Sequence, residues 1–142
     1  MANIVELREM SDVKLEELLE NGREEMFNLR FQQASSRLED YSRLKAVRRE
    51  VAQLETVLNM RQLAIETAVA DPVLSAALAG KEWDASVRYV YEDSGWQVEF
   101  VDDSGEELAT ALVDLNKKRP HSRRQAKKKS QPKRVVSAEV VG

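Results

Sequence analysis

Residues 43–68 read RLKAVRREVAQLETVLNMRQLAIETA, and their spacing decides the fold. Leu44, Val47, Val51, Leu54, Leu58, Arg61, Ile65 and Ala68 follow one another by alternating steps of three and four. Such steps return side chains to one face of an α-helix, which has about 3.6 residues per turn. The stripe takes two positions in seven, with Arg61 its one polar interruption, and predicts a long helix that buries this side against another helix.

The partner lies upstream. Leu15, Leu18, Leu19, Gly22, Met26, Leu29 and Gln33 share one helical face, and Phe27, Phe31 and Ala34 form an adjoining strip. Ser11 or Asp12 can accept a backbone N–H and start this helix, although Lys14 stands where a full capping box has Glu. Asp40-Tyr41-Ser42 breaks the pattern and supplies caps for the second helix. A short link between two such helices makes them antiparallel neighbours, so residues 1–70 are expected to form an αα-hairpin.

Downstream the period changes. Pro72 and Gly80 bracket a short apolar stretch. Val87, Tyr89 and Tyr91 then alternate with polar residues, as do Trp96, Val98 and Phe100, and Leu108 to Leu115 reads as a third strand. Asp93-Ser94-Gly95 and Asp103-Ser104-Gly105 punctuate these runs as turns. Residues 71–115 are therefore expected to form a small antiparallel β-meander, with Trp83, Trp96 and the Val73–Leu78 stretch packed on it because so few strands are marginal alone. Lys117 to Arg134 holds ten basic residues in eighteen positions and no large apolar residue. Such a segment cannot offset its ordering entropy, so 116–142 is read as a basic, disordered tail. The expected class is mainly α, a long antiparallel two-helix hairpin followed by a β-meander extension and the tail.

Charge follows the same division. The chain of 142 residues carries a net charge of −3, but 1–70 has 10 basic and 13 acidic residues, 71–115 has 2 and 11, and 116–142 has 10 and 1. The absence of Cys, with His121 as the lone His, excludes a disulfide scaffold, a Cys/His zinc site and a Cys nucleophile. Neither a Gly-rich phosphate loop nor a nucleophile elbow is present, and paired acids such as Asp102-Asp103 and Glu106-Glu107 are adjacent rather than convergent. No enzyme, no metal and no cofactor are expected. No targeting segment is visible and no apolar run approaches the ~20 residues of a membrane span, so a cytoplasmic chain without membrane contact is expected.

The basic residues carry the binding chemistry. Lys45 and Arg49 lie roughly opposite the apolar stripe, with Arg48 flanking it and Arg43 at the helix start. One side of this helix can pack while the other offers cations to phosphates, and the planar fork of Arg grips phosphate oxygens in pairs. Spacing alone explains these residues equally well as an ordinary solvated face. Asn28, Arg30, Gln32 and Gln33 add polar groups around Phe27 and Phe31 that packing does not require.

The stretch Phe27-Asn28-Leu29-Arg30-Phe31-Gln32-Gln33-Ala34, followed by Ser42 to Leu58 (SRLKAVRREVAQLETVL), resembles the L-twenty-nine family of large-subunit ribosomal proteins. Glu6-Leu7-Arg8-Glu9-Met10-Ser11 matches the family's opening, and the likeness covers about residues 1–68. It implies a helical hairpin held on large-subunit ribosomal RNA beside the exit of the nascent-peptide tunnel, next to ribosomal protein L-twenty-three. Trigger factor and signal recognition particle dock in that neighbourhood. By position in the motifs it implies RNA contacts at Arg30, Gln32, Ser42, Arg43, Lys45, Arg48 and Arg49, with Arg8 a lesser one. Two departures stand out. Asp40-Tyr41 replaces the family's frequent Asn-Pro, and Asn21-Gly22 interrupts a helix, which predicts a close crossing or a kink.

The extension is read from charge. Lys117, Lys118, Arg119, Arg123, Arg124, Lys127, Lys128 and Lys129 are expected to bind ribosomal RNA, while the acidic meander faces away or meets a neighbouring protein. The competing reading is a coiled-coil protein-interaction module with a polyanion-binding tail.

Overall fold

The computed structural model describes residues 3–117, 122–126 and 133–141. It divides into two compact units, 1–59 and 60–142.

In the first unit a short helix α1 (Ile4–Glu9) precedes α2 (Asp12–Ala34), and α3 (Tyr41–Val69) follows the turn. Ser11 is the N-cap of α2, its Oγ accepting the N–H of Lys14 at 3.4 Å. After Ala34 the chain turns through Ser36 at φ 57, and the N–H of Arg37 reaches the carbonyl of Gln32 at 2.8 Å while that of Ser36 reaches Gln33 at 3.1 Å. This is the double bond pattern that closes a helix through one left-handed residue, here a serine where glycine is usual. Asp40 then starts α3 by accepting the N–H of Ser42 at 2.9 Å.

The core of this unit is Leu7, Leu15, Leu19, Val47, Val51, Leu54 and Val57. It confirms the two apolar faces as far as Leu54. Beyond that point the buried residues are Val57, Arg61, Ala64 and Ala68, with Leu58 and Ile65 only half-buried. The stripe of α3 is thus broader than a two-in-seven seam, because its later turns face a sheet core rather than one partner helix. At Gly22 a Cβ would sit 3.0 Å from Val51 Cγ2, so the expected close crossing occurs there.

In the second unit Ala64 and Ala68, from the end of α3, join α4 (Pro72–Leu78) over a sheet. Asp71 caps α4, accepting the N–H of Val73 at 3.0 Å, and Pro72 takes the first turn, where no N–H is needed. The strands β1 (Asp84–Val90), β2 (Gly95–Val101), β3 (Glu107–Val113) and β4 (Val135–Val140) form one antiparallel meander in that order. Trp96, Val98 and Phe100 of β2 and Ala109, Ala111 and Val113 of β3 point inward with Leu74 and Leu78, while alternate residues point outward. Trp83 meets Phe100 edge to face at 5.2 Å. The two Asp-Ser-Gly turns work differently: Ser94 takes the left-handed conformation in the first, Gly105 in the second.

β4 corrects the reading of 116–142 as a disordered tail. Ala109 pairs with Val140 and Ala111 with Ala138, and Val135 and Ala138 pack on the core. Lack of a large side chain between 117 and 134 says nothing about the residues after it, where β-branched Val135, Val136 and Val140 find a ready edge in β3. The residues before and after the basic stretch are tied to one another. The N–H of Asp114 donates to the carbonyl of Arg134 at 2.8 Å, and Arg134 Nε donates to that of Lys117 at 2.7 Å.

Candidate nucleic-acid interface

The outer side of α3 is the clearest element of the site. Leu44, Val47 and Val51 are buried, while Lys45 and Arg49 on the far side of the helix and Arg48 on its flank are exposed. Among the described residues these three cations make no salt bridge, so their charge is presented to solvent.

Arg43 behaves otherwise. Its Nε donates to Glu25 Oε1 at 2.6 Å and its Nη2 to Glu25 Oε2 at 2.8 Å, a two-point grip between α3 and α2. The hydrogen bonds and charge of Glu25 push the guanidinium pKa up, so Arg43 stays ionised while its charge is matched within the hairpin. Arg23 forms a second tie of this kind, to Glu55 at 2.8 Å. Ser42 is engaged too, its hydroxyl donating to Asp40 Oδ1 at 2.5 Å. That bond, with the N–H of Ser42 next, holds the Asp40 carboxyl below the usual carboxylate range. Asp40 therefore puts a full negative charge at the start of α3, where the helix dipole favours it.

On α2, Arg30 and Gln32 are exposed as expected, and Arg8 on α1 is half-buried. The turn borders an open concavity of about 620 Å³ where Gln32, Arg37 and Arg43 stand with Phe31 and with the acidic Glu39 and Asp40. Arg37 was not singled out by spacing, since it lies beyond the helical pattern, yet residues 26–38 hold Arg30 and Arg37 and no acid. Phe27 and Phe31, expected in a strip beside the apolar face, are not packed: Phe27 is 68% exposed and Phe31 65%, and Tyr41 at the turn is 60% exposed.

The basic residues of the extension lie in the second unit. Lys117 is half-buried beside the loop base, and Arg123 and Arg124 are exposed on a single turn, α5 (Arg123–Ala126). Lys118, Arg119, Lys127, Lys128 and Lys129 fall outside the described residues.

The family model for the Ribosomal L29 protein matches residues 5–61. The large ribosomal subunit protein uL29 of Streptomyces avermitilis is 50% identical over 62 residues, which are 44% of this chain and 84% of the relative. The uL29 proteins of Streptomyces coelicolor and Mycobacterium tuberculosis are each 48% identical over 62 residues, covering 84% and 80% of their own lengths. The matched segment is the hairpin; β1 to β4 lie beyond it. With both helices, their motifs and the shared identity in place, the chain belongs to the uL29 family of large-subunit ribosomal proteins, and its role is structural rather than enzymatic.

Proposed function

We propose that the hairpin binds large-subunit ribosomal RNA through the outer side of α3 and the end of α2, and so helps to build the subunit that supports translation in the cytoplasm. Lys45, Arg48 and Arg49 are the principal phosphate contacts, joined by Arg30 and Gln32, with Ser42 and Arg8 secondary, and Arg43 contributes by tying α3 to α2 through Glu25. The observation that carries this reading is the exposure, behind and beside the buried Leu44, Val47 and Val51, of three cations that form no salt bridge among the described residues. A helix so divided can keep its fold and still lay a run of charge along a phosphate backbone.

The site is assigned to the rim of the tunnel exit, beside ribosomal protein L-twenty-three, where trigger factor and signal recognition particle also dock. The basic stretch of the extension adds RNA contacts through Lys117, Lys118, Arg119, Arg123, Arg124, Lys127, Lys128 and Lys129. The acidic sheet, which phosphate would repel, faces away from RNA or meets a basic neighbouring protein. Among the described residues no helix is long and apolar enough to cross a membrane.

Affinity of the full chain for large-subunit ribosomal RNA, measured across a salt series, tests the reading. Replacing Arg48 and Arg49 by Ala is expected to weaken binding and lower the slope of log affinity against log salt by about one per lost phosphate contact. Self-association without any RNA affinity would instead support a coiled-coil interaction module. Crosslinking to protein L-twenty-three within assembled subunits tests the position.

A further inference from the structure

Phe27 and Phe31 stand one helical turn apart on α2, and two-thirds of each residue is open to water. Leaving two aromatic rings in solvent forgoes a large hydrophobic gain, and contiguous exposed apolar surface marks a binding face. The rings do not stand alone. Arg30 borders their strip on one edge of the helix, Asn28 and Gln32 lie toward the other, and residues 26–38 contain no acid. An apolar protein partner has no use for this ring of cation and amides, whereas a nucleic-acid strand has use for both parts. Arg and the amides reach phosphates, sugars and base edges, and a phenyl ring offers its face to a base.

We infer that Phe27 and Phe31 are stacking platforms for unpaired bases of the bound RNA, with Arg30 holding the phosphate of the same strand. The inference rests on the RNA reading of the hairpin and specifies it. This end of α2 takes bases turned out of a loop or bulge, whereas the α3 cations take a backbone. A paired helix hides its base faces, so duplex RNA cannot supply what the two rings bind.

The test uses the full chain and a transcript of large-subunit ribosomal RNA, with affinity measured across a salt series. Because both rings are exposed, the Phe27→Ala/Phe31→Ala variant is expected to keep the circular dichroism and melting of the parent. Its RNA affinity is expected to fall by ~5- to ~150-fold per lost stack. Stacking displaces no counterions, so the salt slope should stay unchanged, and Phe31→Trp should retain the parent affinity. Arg48→Ala/Arg49→Ala supplies the contrast, since it lowers the slope.

Two results overturn the inference. If the Phe27→Ala/Phe31→Ala variant binds as tightly as the parent while the arginine variant binds weakly, the RNA reading stands and the rings serve a protein neighbour. If the parent itself does not bind the transcript, both readings fall.

Discussion

Arg43 and Glu25 join α3 to α2 through two hydrogen bonds of 2.6 and 2.8 Å. Family position points Arg43 toward RNA, but its guanidinium is already matched by a carboxylate of its own chain. The pair ties the two helices close to the turn, and the net cation density there comes from Lys45, Arg48 and Arg49. Arg43→Gln is therefore expected to leave the salt slope of RNA affinity near that of the parent. Glu25→Gln is expected to strengthen binding and steepen the slope by about one, since it releases a cation. A flattened slope for Arg43→Gln would show that the residue leaves Glu25 for phosphate.

Gly22 lets the helices of the hairpin approach, with Val51 Cγ2 only 3.0 Å from where a Cβ would stand. Val51 is β-branched and buried, so it has little room to turn aside. Gly22→Leu is expected to destabilise the hairpin by about 1–3 kcal/mol through overpacking. Combining it with Val51→Ala should recover part of that loss, a coupling of about 0.5–3 kcal/mol in a double-mutant cycle followed by urea unfolding.

Asp40 and Asp102 share one device and one pH dependence. Asp102 accepts the hydroxyl of Ser104 at 2.8 Å and the N–H groups of Glu106 and Ser104 at 2.9 and 3.0 Å, which holds its carboxyl below the usual range as Ser42 does for Asp40. A carboxyl depressed in the folded state stabilises the fold above its unfolded pKa, near 3.8 here. That contribution is lost as pH falls through the folded value. Thermal unfolding between pH 5 and about 2 is expected to show a shallower acid loss in Asp40→Asn and Asp102→Asn than in the parent. An identical profile would remove these caps from the acid sensitivity.

β4 should be indispensable to the second unit. Deleting residues 135–142 strips β3 of its neighbour and uncovers core that Val135 and Ala138 help to close. Amides of β3 that bond to β4 are expected to lose hydrogen-exchange protection, while those of α2 keep theirs. Unaltered protection in β3 would show that the three-strand meander suffices.

Both helices of the hairpin could be located from sequence alone, with Ser11 or Asp12 and the Asp40-Tyr41-Ser42 stretch as candidate caps and a close crossing or a kink at Gly22. Each depends on local chemistry or on a period of three and four, which a single segment displays by itself. The Asp-Ser-Gly turns, the inward run of β2 and the presence of a third strand were legible for the same reason, whereas which residues of β3 face inward came from the structure. Strand β4 was not legible, because its stability comes from an edge offered by β3 more than twenty residues earlier. The choice of Val57 and Ala64 over Leu58 and Ile65 was likewise settled by what α3 packs against.

The site divides along the same line. Composition and spacing determined that Lys45 and Arg49 oppose an apolar stripe and that Arg48 flanks it, since a helix of known pitch fixes which residues share a side. Only the tertiary structure decided that Glu25 claims Arg43 and that Phe27 and Phe31 stay in water. Those outcomes depend on which helix passes beside each side chain, and contact across a fold leaves no period in the chain that makes it.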